Sequence, residues 1–246
     1  MKAATFRFSL ELTDKIWQVV LSEETGKLIA EVRNEETQST KYHLIDLVGC
    51  DQEESFTIQQ SDLWTSILHY CDPYLLLEQF KDPNDPSTKD LMIYDVLNKT
   101  VEAEISQFQF QERSGLELIG VDPKDPKIEK AYTLRTLNTS NTYHMRSPVY
   151  YPSGSESCQL VEEFLDIPAS GLGCEYLEEG DFIIICYYVR LGTKFDRWLM
   201  VIKSECEIYH SRIDREMDGF ASGGFFVLDR LLVFIENRIK IHGVEL

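Results

Sequence analysis

The sequence predicts an all-β chain built from a repeated four-stranded unit. Three observations carry this: short alternating or β-branched and aromatic runs from end to end, turn-forming breaks between them, and a repeat with a period near 48 residues. Four-stranded units of that size are too small to bury both faces alone, which is the pattern of a β-propeller-like fold. The 246 residues then correspond to about five units in a single domain spanning 1–246. The competing architecture is a pair of antiparallel sandwiches or one large meander.

Phe6–Leu12 alternates Phe6, Phe8, Leu10 and Leu12 against polar residues and reads as a first strand. Ile16–Leu21 follows, Ser22–Lys27 makes a turn into Leu28–Arg33, and Tyr42–Val48 comes next. The separators Asp72-Pro73, Asp82-Pro83-Asn84-Asp85-Pro86 and Asp122-Pro123-Lys124-Asp125-Pro126 are turn formers, because proline fixes φ and aspartate bonds its own downstream backbone. Interior proline costs a helix about 3 kcal/mol, so these breaks exclude long helices from the first half.

Two segments superpose. Trp17–Leu21, Leu28–Arg33, Tyr42–Leu47 and Phe56–Ile58 match Trp64–Leu68, Tyr74–Phe80, Leu91–Val96 and Val101–Ile105, with Trp17 aligned to Trp64 and Asp46 to Asp95. A third copy lacking the tryptophan start runs through Phe182–Val189, Trp198–Ile202 and Glu207–His210. Between them Leu116–Val121, Lys130–Leu137, Thr142–Tyr150 and Gln159–Phe164 are further segments, the last also fitting a short amphipathic helix after Ser157. The end, Phe225–Leu228, Leu231–Ile235 and Arg238–Ile241, is an incomplete unit. Phe6–Leu12 is expected to complete it, pairing the N- and C-terminal strands and removing an open edge.

Composition bounds the function. With 43% hydrophobic and 27% charged residues the chain is an ordinary globular one, neither low-complexity nor disordered. Its formal charge of −18 opposes encounter with nucleic acid or an anionic membrane surface. Residues 1–123 hold 23 of the 42 acids against 10 of the 24 bases, so the acidity is concentrated there. Solubility accounts for this charge. Attraction of a basic partner or a cation is the functional alternative.

Cys50, Cys71, Cys158, Cys174, Cys186 and Cys206 form no C-x-x-C pair or zinc-knuckle spacing and read as buried free thiols. Cys186 in particular lies inside the run Phe182–Tyr188, where a thiol behaves as a small hydrophobe. No secretory h-region and no membrane span of about 18 apolar residues is visible. A reducing cytoplasm is expected, which makes the sequons Asn98-Lys99-Thr100 and Asn138-Thr139-Ser140 chance matches.

Lys41–Leu47 and Asp90–Val96 resemble the strand-ending aspartate pattern of WD-repeat and quinoprotein-like propellers. The whole chain, with its length and its Asp- and Tyr-rich late segment, resembles a family of domains of unknown function of this size found mainly in Bacteroidetes. That resemblance implies a cytoplasmic propeller-like protein and transfers no catalytic residue. The chain departs from better-known propellers in lacking a Gly-His start, a Trp-Asp dipeptide and the glycine pattern of quinone-binding units, so no quinone or other cofactor is expected.

Candidate sites are thin. Trp17 and Trp64 could stack a sugar or planar ring, but the first expectation is packing between sheets. Asp46 and Asp95 are expected to accept hydrogen bonds from turn amides. The loop 82–90 has oxygen ligands at calcium-like density but lacks the glycine and glutamate of a calcium loop, so it reads as a solvated hairpin tip. His43, His69, His144, His210 and His242 never adopt metal-site spacings, and His43 and His210 are expected to be exposed. Ser170-Gly171-Leu172-Gly173-Cys174 and the segment Gly219–Gly224 read as turns, because neither opens a helix that could receive a phosphate. No catalytic or metal-binding residue is therefore assigned, and the binding residues are left open. The expected function is non-enzymatic recognition of a protein or peptide, favouring basic character, without nucleic acid or membrane. The alternatives are a metal-dependent hydrolase or lactonase with carboxylates and histidines meeting in a central channel, and a structural role in a larger complex.

Overall fold

A computed structural model describes residues 4–82, 84–85, 87–138 and 142–246, except for the Gln52 and Glu53 side chains. The chain is all-β and propeller-like. Among the described residues there are twenty-one strands in five antiparallel sheets, and one helix. They divide into two compact units, residues 14–143 and residues 4–13 with 144–246.

Strand β1, Thr5–Glu11, belongs with the C-terminal strands and is taken up with them. The contiguous unit begins with β2 (Lys15–Ser22), β3 (Lys27–Asn34), β4 (Ser39–Asp46) and β5 (Asp51–Phe56), a four-stranded meander. The second meander is β6 (Thr65–Cys71), β7 (Tyr74–Phe80), β8 (Lys89–Asp95) and β9 (Thr100–Ile105). Strands β10 (Gln109–Ser114), β11 (Glu117–Val121) and β12 (Glu129–Thr133) form a third sheet one strand short of the expected unit. Each hairpin joins strands adjacent in sequence through connections of two to eight residues. Tyr42, Phe56 and Tyr94 stack through their rings between the first two sheets, around Ile29, Ile67, Leu75 and Met92.

The other unit contains β13 (Met145–Arg146), β14 (Val149–Tyr151) and α1 (Glu156–Leu165). Next come β15 (Cys174–Glu179), β16 (Phe182–Leu191), β17 (Lys194–Lys203) and β18 (Cys206–Met217). The chain closes with β19 (Phe225–Leu228), β20 (Leu231–Glu236) and β21 (Lys240–Glu245). One sheet runs β14-β15-β16-β17-β18 and the other β1-β21-β20-β19-β13, so the expected pairing of terminal strands is present, from Thr5 with Glu245 to Glu11 with Lys240. The single segment expected over Thr142–Tyr150 is two short strands in different sheets, broken at Ser147-Pro148. The segment at Gln159–Phe164 is the helix, but its cap is Ser155 and not Ser157: the Ser155 hydroxyl accepts from the Cys158 amide at 3.2 Å.

Candidate functional site

Asp46 and Asp95 each close the third strand of a meander and cap the following turn. Asp46 Oδ1 accepts from the amides of Val48 and Gly49 at 2.9 and 2.8 Å, and Asp95 Oδ1 from that of Asn98 at 2.8 Å. Trp17 and Trp64 correct two expectations. They are half exposed, at 51% and 50%, instead of packed between sheets. Nor do they occupy equivalent places: Trp17 is the bulged third residue of β2, whereas Trp64 precedes β6, whose bulge falls at Leu68. One guanidinium serves both neighbourhoods. Arg33 lies 4.4 Å from the Trp17 ring centre, and donates to Leu63 and Thr65, the carbonyls flanking Trp64, at 3.1 and 2.8 Å.

His43 is buried, at 4% exposure, contrary to expectation, because both faces of β4 are covered; burial holds its imidazole below the ordinary range. His210 is exposed as expected and its ring nitrogen meets the Tyr187 hydroxyl at 2.6 Å. Two thiols are also corrected: Cys50 is half-buried and Cys206 exposed, while the other four are buried. In the loop 82–90, Pro83 and Pro86 lie outside the described residues, and Asp82 and Asp85 are held by Asx turns to Asn84 and Ser87. Thr139 and Ser140 of the second sequon also lie outside them. Among the described residues no three His, Cys, Asp or Glu side chains converge as a metal site would require.

The most developed surface is on the sheet β14–β18, where α1 lies on one face. Alternation divides the sheet: Ile184, Cys186, Leu199 and Val201 enter one core, and Ile183, Ile185, Tyr187, Met200 and Ile202 face the helix side. The helix forms because Ser155 caps it, Glu156 opposes the positive end of its dipole, and Asp166 ends it in the left-handed region at φ 51°. Cys158, Val161 and Leu165 recur on its inner side and dock on the sheet. The helix is too narrow to cover the face.

Two depressions remain. The larger, about 660 Å³, has Ile183, Met200 and Ile202 as floor and Phe164 and Leu165 as wall. Its rim carries Glu178, Asp181, Glu205 and Glu207. The smaller, about 320 Å³, runs past Leu160, Tyr151 and Tyr176 and shares Phe164, Glu178 and Ile183 with the first. Leu160 and Phe164, one helical turn apart, are 61% and 62% exposed. No basic side chain lines either depression. Lys203 stands close by, 3.8 Å from Asp181 and 4.3 Å over the Phe182 ring. Tyr176 donates to Glu178 at 2.6 Å, and burial followed by that carboxylate pushes its phenol up to about 12, so it remains a donor. In the contiguous unit a hollow of about 680 Å³ beside β5 and β9 is lined by Glu54 and Lys99, which pair with each other and leave no net charge between them.

The opposite face of the same sheet holds a buried polar bracket that the sequence did not disclose. The Glu175 carboxylate accepts from the amides of Gly223 and Gly224 at 2.8 and 3.0 Å. Arg197 donates to Asp214 through Nε at 2.7 Å, and to the Ala221 carbonyl at 3.3 Å. Tyr188 donates to that same carbonyl at 2.9 Å. The segment Gly219–Gly224, read from the sequence as a turn, is an irregular loop that opens no helix and grips a carboxylate of its own chain. Cys186 lies against the bracket, and burial pushes its thiol far above the ordinary range. A protonated, inaccessible thiol is no nucleophile. Arg197 is the bracket's member in β17, where the neighbouring Asp196 belongs to a separate pair with Arg212.

The family model described as Domain of unknown function (DUF4905) matches residues 21–102, from the end of β2 into β9. No curated protein matches the chain. Similar solved structures include the β-propeller domain of the Trilobed protease from Pyrococcus furiosus, 10% identical, with 94% of this chain and 79% of that one covered and a TM-score of 0.37. The Myceliophteria thermophila Cps50 (Swd1) β-propeller domain is 11% identical, with coverages of 94% and 68% and a TM-score of 0.33. A chain of the S. cerevisiae assembly of dbp5 with nup159, gle1, IP6 and ADP is 8% identical, with coverages of 99% and 95% and a TM-score of 0.29. The fold assignment rests on the five sheets themselves.

Proposed function

We propose that the protein is a non-enzymatic recognition module that binds a protein or peptide partner of basic character. The observation carrying this reading is the groove beside α1: an apolar floor and wall exposed to water, rimmed by four carboxylates and lined by no base. Exposed leucine and phenylalanine gain free energy when covered, at roughly 25 cal/mol per Å². The acidic rim favours lysine and arginine around such an apolar contact and repels acidic competitors. The reading takes residues 1–246 as one domain. It places the chain in a reducing cytoplasm, supported by six unbonded thiols, two of which, Cys158 and Cys174, are buried in one apolar cluster without being bridged.

A random displayed-peptide library panned against the purified protein tests the function. Enriched sequences should combine at least two large apolar residues with Lys or Arg, and Phe164→Ser should abolish their capture without changing the thermal midpoint. Enrichment that is absent, or indifferent to Phe164→Ser, would sink this reading. A single cooperative unfolding transition seen alike by circular dichroism and fluorescence is expected for one domain; two resolved transitions would overturn that part.

A further inference from the structure

We infer that the segment recognised in the groove is an amphipathic α-helix, laid beside α1 with its apolar stripe inward and its Lys and Arg residues toward the rim. This rests on the recognition reading above. The first ground is backbone chemistry. The floor is the face of a sheet, and β16 and β17 spend their amides and carbonyls on ladder partners, Ile183 with Ile202 and Ile185 with Met200. An extended peptide binds by adding to an open edge, where free backbone groups await it. Over this face its own amides would meet apolar side chains and go unpaired. A helix satisfies its backbone internally and needs only side-chain contacts from the surface.

The second ground is shape. Helix α1 has ten residues and so spans about 15 Å. Its outer flank presents Leu160 and Phe164 at i and i+4, the spacing that a second helix meets with its own i, i+3 or i+4 residues. The wall and the floor of Ile183 and Met200 together make a trough with two apolar sides. Packed helices lie about 8–10 Å apart, so an occupant helix in contact with α1 also sits over that floor.

Charge supplies the third ground. Asp181 faces Lys203 and Glu207 faces His210, which leaves Glu178 and Glu205 to set the sign of the rim where the flanks of such a helix would emerge, and Lys and Arg can bury their stems while directing their heads to it. An acidic helix would be repelled by the same groups.

The test uses four synthetic 16-residue peptides against the full chain: a Leu/Lys peptide with helical apolar period, its scrambled isomer, a strictly alternating Leu/Lys isomer, and a Leu/Glu helix. The helical Leu/Lys peptide should bind at least tenfold more tightly than each of the others and gain helical circular dichroism on binding. Phe164→Glu and Leu160→Glu should each weaken it at least tenfold with the fold intact, and Glu205→Gln with Glu207→Gln should lessen its salt dependence. If the scrambled or alternating isomer binds as tightly, still sensitively to Phe164→Glu, the helix inference is overturned while recognition stands. If no peptide responds to Phe164→Glu, the groove itself is not the site. A concentration-dependent dimer that Phe164→Glu dissociates would identify the occupant as a second copy, overturning both.

Discussion

Substituting Gly224 by alanine separates two forces that act with opposite sign. Gly224 does not occupy the left-handed region, so a side chain strains no backbone there, and the loss of unfolded-state entropy alone would stabilise the protein by about 0.4–1 kcal/mol. The added methyl, however, would stand 2.7 Å from Glu175 Oε2, 2.8 Å from Cys186 Sγ and 3.3 Å from Arg197 Nη1. None of these yields easily: Glu175 is held by two amides, Cys186 lies inside β16, and Arg197 is locked on Asp214. Overpacking of such a site costs about 1–3 kcal/mol, so the midpoints of the two ranges leave a net loss of about 1.3 kcal/mol. With a urea dependence of about 2 kcal/mol per molar, the midpoint should fall by about 0.6–0.7 M. Trp198 reports this unit specifically once Trp17 and Trp64 are phenylalanine. Gly219 in the same loop is the control, since a methyl there meets nothing within 4 Å, and Gly219→Ala should leave the midpoint level or slightly raised. If Gly224→Ala behaves like Gly219→Ala, the bracket is not rigid and the reasoning fails.

Two further outcomes concern titration and thiol access. His43 and His69 of the contiguous unit both sit below the ordinary imidazole value of 6.5, chiefly through burial, with Lys41 and Arg113 respectively adding to the effect. The unfolded chain therefore takes up protons first, so this contribution is complete above pH 6.5 and is lost as the pH falls below it. In a Trp198→Phe background the urea midpoint should drop between pH 7.5 and 5 as about that window is crossed, and His43→Gln with His69→Gln should flatten the drop; an undiminished slope would assign it elsewhere. A thiol reagent at about pH 8 should label Cys50 and Cys206 quickly. Cys71 and Cys174, pushed up to about 12 by burial, and the similarly raised Cys158 and Cys186 should react only on unfolding. Fast labelling of any of these four contradicts the packing.

Where the sequence was informative, the controlling physics was local. Alternation located most strands, and Asp46 and Asp95 were legible because an aspartate ending a strand before a turn has its partners two or three residues away. Bulges defeated the tryptophan alignment: the extra residue at Trp17 shifts every later position, and its matching bulge in β6 falls at Leu68. Alternation also placed His43 outside by assuming one wet face, whereas Tyr42, His43, Leu44 and Ile45 are consecutively buried. The groove was half legible, through the amphipathic run Leu160–Leu165, but its floor comes from strands that reach the helix only through tertiary packing. The bracket was not legible, since Glu175, Arg197, Asp214 and Gly224 come from three strands and a loop and no spacing rule connects them.

The pairing of β1 with β21 has a consequence for the order in which the protein can be made. Residues 14–143 are contiguous, so every strand partner in that unit has been synthesised once Thr133 has emerged. The other unit is split, and Thr5–Glu11 must wait for Lys240–Glu245 before its sheet is complete. During translation β1 is therefore an unpaired strand for almost the whole length of the chain, free to add to an exposed edge of a neighbouring nascent chain. Arg7 and Glu11 punctuate its alternating apolar residues with charge, which disfavours such encounters until the proper partner arrives. Ribosome spacing and chaperone occupancy should accordingly affect the yield of the split unit more than that of the contiguous one.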